Sequence, residues 1–376
     1  MEDIELSIIL PCRNEELTLG ACIKQIKKVL KKYKIKGEII VSDSSSDNSP
    51  RIAIKEQVKL IKHDKQGYGI AYLEAIKVAK GRYIFMADCD GTYDFNEVPK
   101  FLGYLKKDYN LVIGNRFKGD IKKGAMSWHH KYLGNPIISF FSNFFFKLKI
   151  HDINCGMRAI KREDLIRLNL KTTGMEFASE MIIKANKQKL KIKEIPITYY
   201  KRKGISKLSS FRDGWRHLRF MLMYAPTHLF LIPGIMLFVI GSAIMIAFLS
   251  NPIKIFNIPL YNRPMILGSF FTILGYQIIS LGIYTKAYMK SLKFIESDRL
   301  LDTIAKVITF ETGIIIGILM LIISFLMGTN ILSKWISTGF PGLTDNTLLF
   351  VLTLSILSIQ TMFSAFFLSI LVIEKK

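Results

Sequence analysis

Four long apolar segments in the C-terminal part of the chain constrain its fold more than any other feature. They cover residues 229–249, 264–283, 312–328 and 347–373, and none of them contains a charged residue. A helix of about 20 residues spans the roughly 30 Å hydrocarbon core of a membrane. The sequence therefore predicts a four-span transmembrane domain, with a large apolar soluble bundle as the alternative.

The charge of the chain lies mainly before these segments. Residues 1–228 contain 43 Lys and Arg against 24 Asp and Glu, a net charge of +19, whereas the rest carries only +4. Basic residues in short loops favour the cytoplasmic side, and both the loop between the second and third segments and the C-terminal tail are basic. Because residues 1–10 do not resemble a signal peptide, we expect both termini and the N-terminal domain on the cytoplasmic face of a cell membrane or ER-type membrane.

Residues 1–208 are expected to form one α/β domain. Runs rich in β-branched residues predict strands, and stretches with apolar residues at helical spacing lie between them. The predicted strands are residues 7–10, 38–42, 58–62, 83–87 and 111–114, and the predicted helices are residues 15–33, 48–57, 68–79 and 96–105. This alternation predicts a Rossmann-like, mostly parallel sheet with helices on both faces, and it places Leu17 and Ile23 on the buried face of the first helix.

Two further stretches are expected to be helical. Residues 209–228 combine aromatic residues with arginines, which predicts an amphipathic helix in the membrane interface, ahead of a transmembrane domain at residues 229–376. Residues 135–148 contain five Phe. They predict either a second interfacial element, which would lead a lipid phosphate to the site, or an ordinary buried helix.

Polar side chains follow three of the predicted strands. Asn14 and Glu15 follow the first, Asp43 follows the second, and Asp88 and Asp90 follow the fourth. In parallel sheets ligands bind beyond the carboxyl ends of the strands. Two carboxylates at this spacing can share Mg²⁺ or Mn²⁺, which takes its other ligands from phosphates and water; the alternative is a strand-end turn with solvated acids. The chain contains neither a dinucleotide-binding GxGxxG after the first strand nor a P-loop.

Several motifs resemble those of a known family. Residues 11–15 (PCRNE), 43–49 (DSSSDNS) and 88–90 (DCD) resemble the successive signatures of family 2 glycosyltransferases, which have the GT-A fold. The later motifs resemble its polyprenyl-phosphate branch, the dolichyl-phosphate mannose, glucose and N-acetylglucosamine synthases, most closely the archaeal ones. These later motifs are residues 114–117 (GNRF), 152–158 (DINCGMR), 194–199 (EIPITY) and 202–208 (RKGISKL).

The resemblance implies a role for individual residues. On the donor side, the nucleoside pocket would be lined by Pro11, Asn14, Glu15 and Asp43. Asp88 would face both the ribose and the metal, and Asp90 would hold the metal. The diphosphate would lie near Arg202 and Lys207, and the sugar would lie near Glu176 and Glu180. On the acceptor side, the lipid phosphate would be bound by Arg116, Lys131 and Asn135. Asp94 would either supplement the metal shell or cap the helix at Phe95. Asp90, Arg116 and Arg202 are the residues expected to carry catalysis.

The implied reaction transfers one hexose from a nucleotide sugar to dolichyl or polyprenyl phosphate, with inversion, and yields a lipid-linked sugar donor for glycosylation. UDP-glucose, UDP-N-acetylglucosamine and GDP-mannose remain open as donors. A lipid phosphate is largely dianionic at neutral pH, because its second pKa is about 6, and needs no strong general base. A divalent cation would stabilise the departing nucleotide as a Lewis acid.

Three other functions fit the sequence less well. A processive polysaccharide synthase would normally carry a Gln-x-x-Arg-Trp signature, which the chain lacks. A transporter or flippase with a nucleotide-binding domain would be expected to place ionisable residues inside the membrane, and the four apolar segments contain none. A nucleic-acid-binding protein would explain the basic charge, but neither the acidic sheet edge nor the membrane segments.

Overall fold

A computed structural model describes residues 4–204, 210–249, 254–255, 258–259, 263–291, 309–338 and 346–372. The chain divides into two compact units, Met1–Tyr224 and Ala225–Lys376. We call them the first unit and the membrane unit.

The first unit is built on a seven-stranded sheet with the order β3-β2-β1-β4-β6-β5-β7. The strands are β1 (Leu6–Cys12), β2 (Gly37–Asp43), β3 (Lys59–Lys62), β4 (Tyr83–Met86), β5 (Leu111–Ile121), β6 (Arg158–Lys161) and β7 (Ile192–Tyr199). Strand β6 runs antiparallel to both of its neighbours, and the other pairs are parallel. The predicted mostly parallel sheet is confirmed, whereas β6 and β7 were not predicted.

Eight α-helices of the first unit are described by the structure. They are α1 (Leu19–Lys32), α2 (Ser49–Lys55), α3 (Tyr68–Ile76), α4 (Val98–Lys106), α5 (Asn135–Phe146), α6 (Arg162–Arg167), α7 (Phe177–Lys187) and α8 (Ser210–Tyr224). A 3₁₀ turn at Phe95–Glu97 precedes α4, and a π-helical turn at His130–Gly134 precedes α5.

The start of α1 corrects one prediction. The helix begins at Leu19 rather than at residue 15, and Leu17 is 77% exposed instead of lying on the buried face. The backbone N–H groups of Glu15 and Glu16 donate to the side chains of Ser49 and Asp47. Because these contacts hold residues 15–18 in a turn, Leu17 points away from the face that buries Ile23.

The centre of the sheet is fully enclosed. Ile8, Ile9 and Leu10 of β1 and Ile84 and Phe85 of β4 have no exposed surface. Continuous burial of successive residues means that both faces of the sheet are covered, as expected for parallel strands. The core therefore fixes the carboxyl ends of β1 and β4 rigidly beside each other.

The membrane unit contains four described helices that are long and apolar enough to cross a membrane. The helices are α9 (Ile232–Phe248), α10 (Arg263–Ser291), α11 (Phe310–Ser337) and α12 (Asn346–Val372), and the first span begins with a π-helical turn at Thr227–Leu231. Helices α10 and α11 extend beyond the uncharged segments and include Lys286, Glu311 and Lys334 near their ends.

Helices α9 and α10 pack through glycines. A Cβ atom on Gly241 would lie 2.5 Å from the backbone N of Thr272 and 2.6 Å from the carbonyl O of Gly268. Hydroxyl pairs join other helices, with Ser269 to Thr353 at 2.7 Å and Tyr276 to Thr361 at 2.9 Å. Close approach at small residues and hydrogen bonds between hydroxyls are the usual means by which transmembrane helices associate.

Candidate active site

The turns that follow β1 and β2 are joined at the carboxyl edge of the sheet. The Asn14 backbone N donates to Ser45 Oγ at 2.7 Å, and the Ser46 backbone N donates to Asn14 Oδ1 at 2.8 Å. Asn14 has a φ of +54°, in the left-handed region that asparagine tolerates better than most residues. The two predicted donor-side segments therefore form one polar surface.

Asp43 is completely buried at the end of β2. Its Oδ1 accepts from Ser45 Oγ at 2.5 Å, and its Oδ2 accepts from the Ser45 backbone N at 3.2 Å. Cys89 Sγ donates a hydrogen bond to the Pro11 carbonyl at 3.2 Å, which connects β1 to the Asp88–Asp90 segment. The roles of Pro11 and Asp43 in binding a nucleoside stay predictions.

Arg202 joins Asp90 and Glu15 in an ion-pair cluster that we call the Asp90 cluster. Asp90 Oδ1 accepts from the backbone N of Thr92 at 3.1 Å and from its Oγ1 at 2.6 Å. Asp90 Oδ2 lies 3.1 Å from Arg202 Nη1, and Arg202 Nη2 pairs with Glu15. The structure thus brings together three residues that lie far apart in sequence and were predicted to act on the donor.

Asp88 lies in a pocket of tyrosines. Burial raises the pKa of the Asp88 carboxyl to about 7, and the neighbouring charge of Asp90 also raises it. The Tyr93 hydroxyl accepts from the Gly156 backbone N at 2.8 Å. A Cβ atom at Gly156 would lie 2.9 Å from Asp88 Oδ2 and 3.0 Å from the Tyr68 hydroxyl, so that only glycine fits without displacement. Sequence reasoning missed both tyrosines, because no motif marks them.

The donor atoms of Asp88 and Asp90 fit a hard divalent cation. No group of three or more His, Cys, Asp or Glu suited to a metal occurs within the described part of the chain. Two carboxylates suit Mg²⁺ or Mn²⁺ if a diphosphate and water supply the other ligands. Asp94 Oδ1 accepts from the Asn96 backbone N at 2.9 Å and from Gln25 Nε2 at 2.6 Å. Asp94 therefore caps the 3₁₀ turn at Phe95, which was one of its two predicted roles.

Arg116 forms a buried, two-pronged ion pair. Its Nε and Nη2 each lie 2.7 Å from an oxygen of Asp152, and the guanidinium lies 5.1 Å from the centre of the Tyr199 ring. Burial lowers the pKa of Arg116 and the Asp152 carboxylate raises it, with a net shift upward. Sequence reasoning did not assign Asp152 a role. Its position in the DINCGMR motif was the available signal.

Asn135 and Lys131 lie on the helical segment that was predicted to contact the acceptor. Asn135 Oδ1 accepts from Asn154 Nδ2 at 2.9 Å, and the Lys131 ammonium lies 5.3 Å from the centre of the Tyr132 ring. The loop Asp152–Arg158 therefore contacts Arg116 through Asp152, α5 through Asn154 and Tyr93 through Gly156. It connects the predicted donor and acceptor sides.

The two acids assigned to the sugar differ in their surroundings. Glu180 is fully buried, pairs with Lys184 at 2.8 Å and accepts from the Thr172 backbone N at 2.8 Å, so its contacts stabilise the fold. Glu176 is half-buried, and its Oε2 has no hydrogen-bond partner within the described residues. Lys207 lies outside the described residues.

Helix α5 is buried on one face only. Ser139, Ser142 and Phe146 are buried, whereas Phe140 and Phe144 are largely exposed. The stretch therefore packs against the protein on one side, and the contact of its exposed side with a membrane stays a prediction.

One side of helix α8 packs against the rest of the first unit. Met221 is buried with its Sδ 3.2 Å from Ser142 Oγ, and His217 is buried with its Nδ1 3.1 Å from Ser179 Oγ. Trp215 and Met223 are exposed on the same helix. The contact of α8 with a membrane stays a prediction.

A mostly parallel sheet with paired carboxylates at its carboxyl edge, followed by four apolar helices, is the arrangement expected of a membrane glycosyltransferase with a GT-A-like fold. The model of glycosyl transferase family 2 matches residues 7–168, and that of the family 2 C-terminal transmembrane region matches residues 283–372. The chain belongs to glycosyltransferase family 2.

Two proteins of Haloferax volcanii are similar to this chain. The low-salt glycan biosynthesis hexosyltransferase Agl6 is 36% identical over 365 residues, which cover 96% of this chain and 88% of the relative. The dolichyl-phosphate hexose transferase is 31% identical over 212 residues, which cover 56% of this chain and 89% of the relative. Among solved structures, mannosyl-3-phosphoglycerate synthase from Rubrobacter xylanophilus is 18% identical with a TM-score of 0.49, over 58% of this chain and 74% of that one.

Proposed function

We propose that the protein transfers a single hexose from a nucleotide sugar to dolichyl or another polyprenyl phosphate at the cytoplasmic face of the membrane. The observation that carries the proposal is the loop Asp152–Arg158, which links a carboxylate site suited to a nucleotide diphosphate with a buried arginine suited to a second phosphate. The similarity to a dolichyl-phosphate hexose transferase supports the choice of acceptor.

On the donor side, the chain binds and orients the nucleotide sugar. The turn after β1 and the turn after β2 form the polar surface for the nucleoside, with buried Asp43 as a hydrogen-bond acceptor. Asp88 and Asp90 would hold a divalent cation, which would supply Lewis-acid stabilisation of the departing diphosphate. Arg202 adds a guanidinium beside Asp90.

On the acceptor side, the chain must bring a phosphate dianion close to the donor diphosphate. Arg116 is held by Asp152 before any ligand arrives, so its orientation requires no reorganisation during the reaction. Its Nη1 makes no hydrogen bond within the described residues and can donate to a phosphate oxygen. Because the lipid phosphate is already largely ionised at neutral pH, its second pKa being about 6, the site needs no side chain to remove its proton.

Exposed aromatic side chains on α5 and on the residues just before it fit a lipid-bearing acceptor. Four aromatic side chains in this region are each more than half exposed, namely Trp128, Tyr132, Phe140 and Phe144. Aromatic side chains of this kind favour the interface between lipid and water. We assign these side chains to the membrane interface, where they would place the phosphate end of the lipid near Asn135.

The proposal is tested by incubating membranes that contain the protein with UDP-glucose, UDP-N-acetylglucosamine or GDP-mannose, each with dolichyl phosphate and with or without Mn²⁺. The expected product is one hexose per lipid, identified by mass. Asp90→Asn should lower the rate about 10²–10³-fold, the loss typical when a group that stabilises transition-state charge is removed. Asp108→Asn, in an exposed ion pair with Lys191, is the matched control and should keep full activity.

Two results would contradict the proposal. A lipid carrying several sugars in sequence would indicate a processive synthase. Arg116→Lys keeps the charge but loses the bidentate guanidinium. If this variant lost affinity equally for lipid phosphate and for nucleotide sugar, Arg116 would not belong to the acceptor site.

A further inference from the structure

The Asp90 cluster places a guanidinium on an oxygen that a metal would use. This inference rests on the proposed function, because the divalent cation is part of it. We infer that Arg202 competes with the divalent cation for Asp90, so that the site holds the cation well only after the nucleotide diphosphate has drawn Arg202 away.

The two oxygens of Asp90 have different partners. Oδ1 is occupied by both donors of Thr92, at 3.1 and 2.6 Å. Oδ2 faces Arg202 Nη1 at 3.1 Å. A cation that binds Asp90 through the less engaged oxygen meets the guanidinium there, and two positive groups on one oxygen repel each other.

The contacts that hold Arg202 are strong. The side chains of Asp90 and Glu15 are only 9% and 10% exposed, and both pair with the same guanidinium. Charge-assisted hydrogen bonds with little access to water are stronger than surface ion pairs. A cation alone must therefore displace a well-held partner before it reaches Asp90.

The nucleotide can release Arg202 from these contacts. Arg202 Nε is buried and has no hydrogen-bond partner within the described part of the chain. A diphosphate offers acceptor oxygens to Nε as well as to the two terminal nitrogens, and a guanidinium binds phosphate in a two-pronged manner. The nucleotide therefore gives Arg202 a better set of partners than the two carboxylates do.

The exchange needs only a side-chain movement. The Tyr200 backbone N donates to the Thr92 carbonyl at 2.9 Å, and the Lys203 backbone N donates to the Asp90 carbonyl at 3.3 Å. These bonds anchor the main chain on both sides of Arg202 to the segment that carries Asp90. The guanidinium can move from Asp90 to the diphosphate while its backbone stays in place.

The consequence is a coupling between metal and nucleotide binding. If Arg202 lowers the affinity for the cation in the free protein and the nucleotide removes this effect, each ligand raises the affinity for the other by the same factor. The structure thus assigns Arg202 a positioning role in addition to its proposed contact with the donor: it sets the order in which the site is filled.

The test is a Mn²⁺ titration of the full-length protein in detergent, with free Mn²⁺ measured by electron paramagnetic resonance. Each variant is titrated alone and with UDP or GDP. In Arg202→Met we expect Mn²⁺ to bind about tenfold more tightly than in the wild type when no nucleotide is present, within the usual range of coupling factors. The gain in Mn²⁺ affinity on adding nucleotide should shrink accordingly. Arg202→Lys should fall between the two.

Lys203→Met is the matched control. It also removes one positive charge, but from the neighbouring residue, whose side chain is exposed. It should leave Mn²⁺ binding within about twofold of the wild type, as expected for an exposed surface charge. Equal or weaker Mn²⁺ binding in Arg202→Met without nucleotide would overturn the inference, and so would equal tightening in Lys203→Met. Neither titration contains sugar or lipid, so these outcomes are separate from those of the transfer assay.

Discussion

The two units accommodate buried polar groups in opposite ways. The first unit buries complete charges and gives each a dedicated partner, as in the Arg116–Asp152 and Lys184–Glu180 pairs. The helices of the membrane unit instead pack mainly through glycines and hydroxyl pairs, such as Ser269 with Thr353, and bury Lys286 near the end of α10. Unpaired charge is costly in both settings. Folding of the first unit thus places buried cations such as Arg116 before any ligand arrives, whereas association of the membrane helices depends mainly on their shape.

The cysteines offer a way to follow the units separately. All four cysteines, Cys12, Cys22, Cys89 and Cys155, are free and buried in the first unit, and the membrane unit has none. A thiol-reactive dye therefore reports the unfolding of the first unit, and loss of far-ultraviolet circular dichroism reports both.

The largest effect is expected for Asp152→Asn. The substitution leaves the Arg116 charge buried without its carboxylate, and breaking a buried pair costs about 3–5 kcal/mol of unfolding free energy. Thiol labelling during denaturation should show this loss in the first unit. Asp108→Asn breaks only exposed pairs and should cost less than about 1 kcal/mol; equal losses would break the contrast between buried and surface charge.

Gly241→Ala tests the membrane unit. The added Cβ would contact the backbone of α10 at 2.5 Å, and overpacking of this kind costs about 1–3 kcal/mol. Circular dichroism should show earlier loss of helix, while the thiols of the first unit label as in the wild type. In Gly328→Ala the nearest atom is 3.6 Å away, so this variant should be unchanged. Early thiol labelling in Gly241→Ala would mean that the two units unfold together.

Tyr93→Phe should have a smaller effect in the first unit. It removes the hydroxyl that accepts from the Gly156 backbone N and leaves a buried donor, at a cost of about 1–2 kcal/mol. The apparent KM for nucleotide sugar should also rise, because the tyrosine lies against the Asp88 pocket. Unchanged stability would show that Gly156 finds another acceptor.

The smallest effect is expected for Tyr276→Phe. It removes a hydrogen bond of 2.9 Å to Thr361 between α10 and α12. Hydrogen bonds between transmembrane helices contribute about 0.6 kcal/mol on average. A loss as large as that of Asp152→Asn, measured by the same denaturation, would remove the distinction between the two units.

Local patterns account for what the sequence could predict. The strands β1, β2 and β4 contain short apolar runs, and the membrane helices contain longer ones, so both were visible without a structure. The turn residues Asn14, Asp43 and Asp90 were found because they follow such runs. The partner of Arg116 was not, since Asp152 lies 36 residues away and only the fold brings them together. Leu17 was misplaced because contacts with residues 47 and 49 override its helical spacing.

The loop Asp152–Arg158 also determines where chimeras between family members can be joined. A crossover between residues 116 and 152 would take the arginine from one parent and its carboxylate from the other, and it would separate Tyr93 from Gly156 as well. A crossover at the Tyr224–Ala225 boundary keeps all of these contacts within one parent. Exchange of sugar preference is therefore best attempted with whole first units rather than with shorter segments.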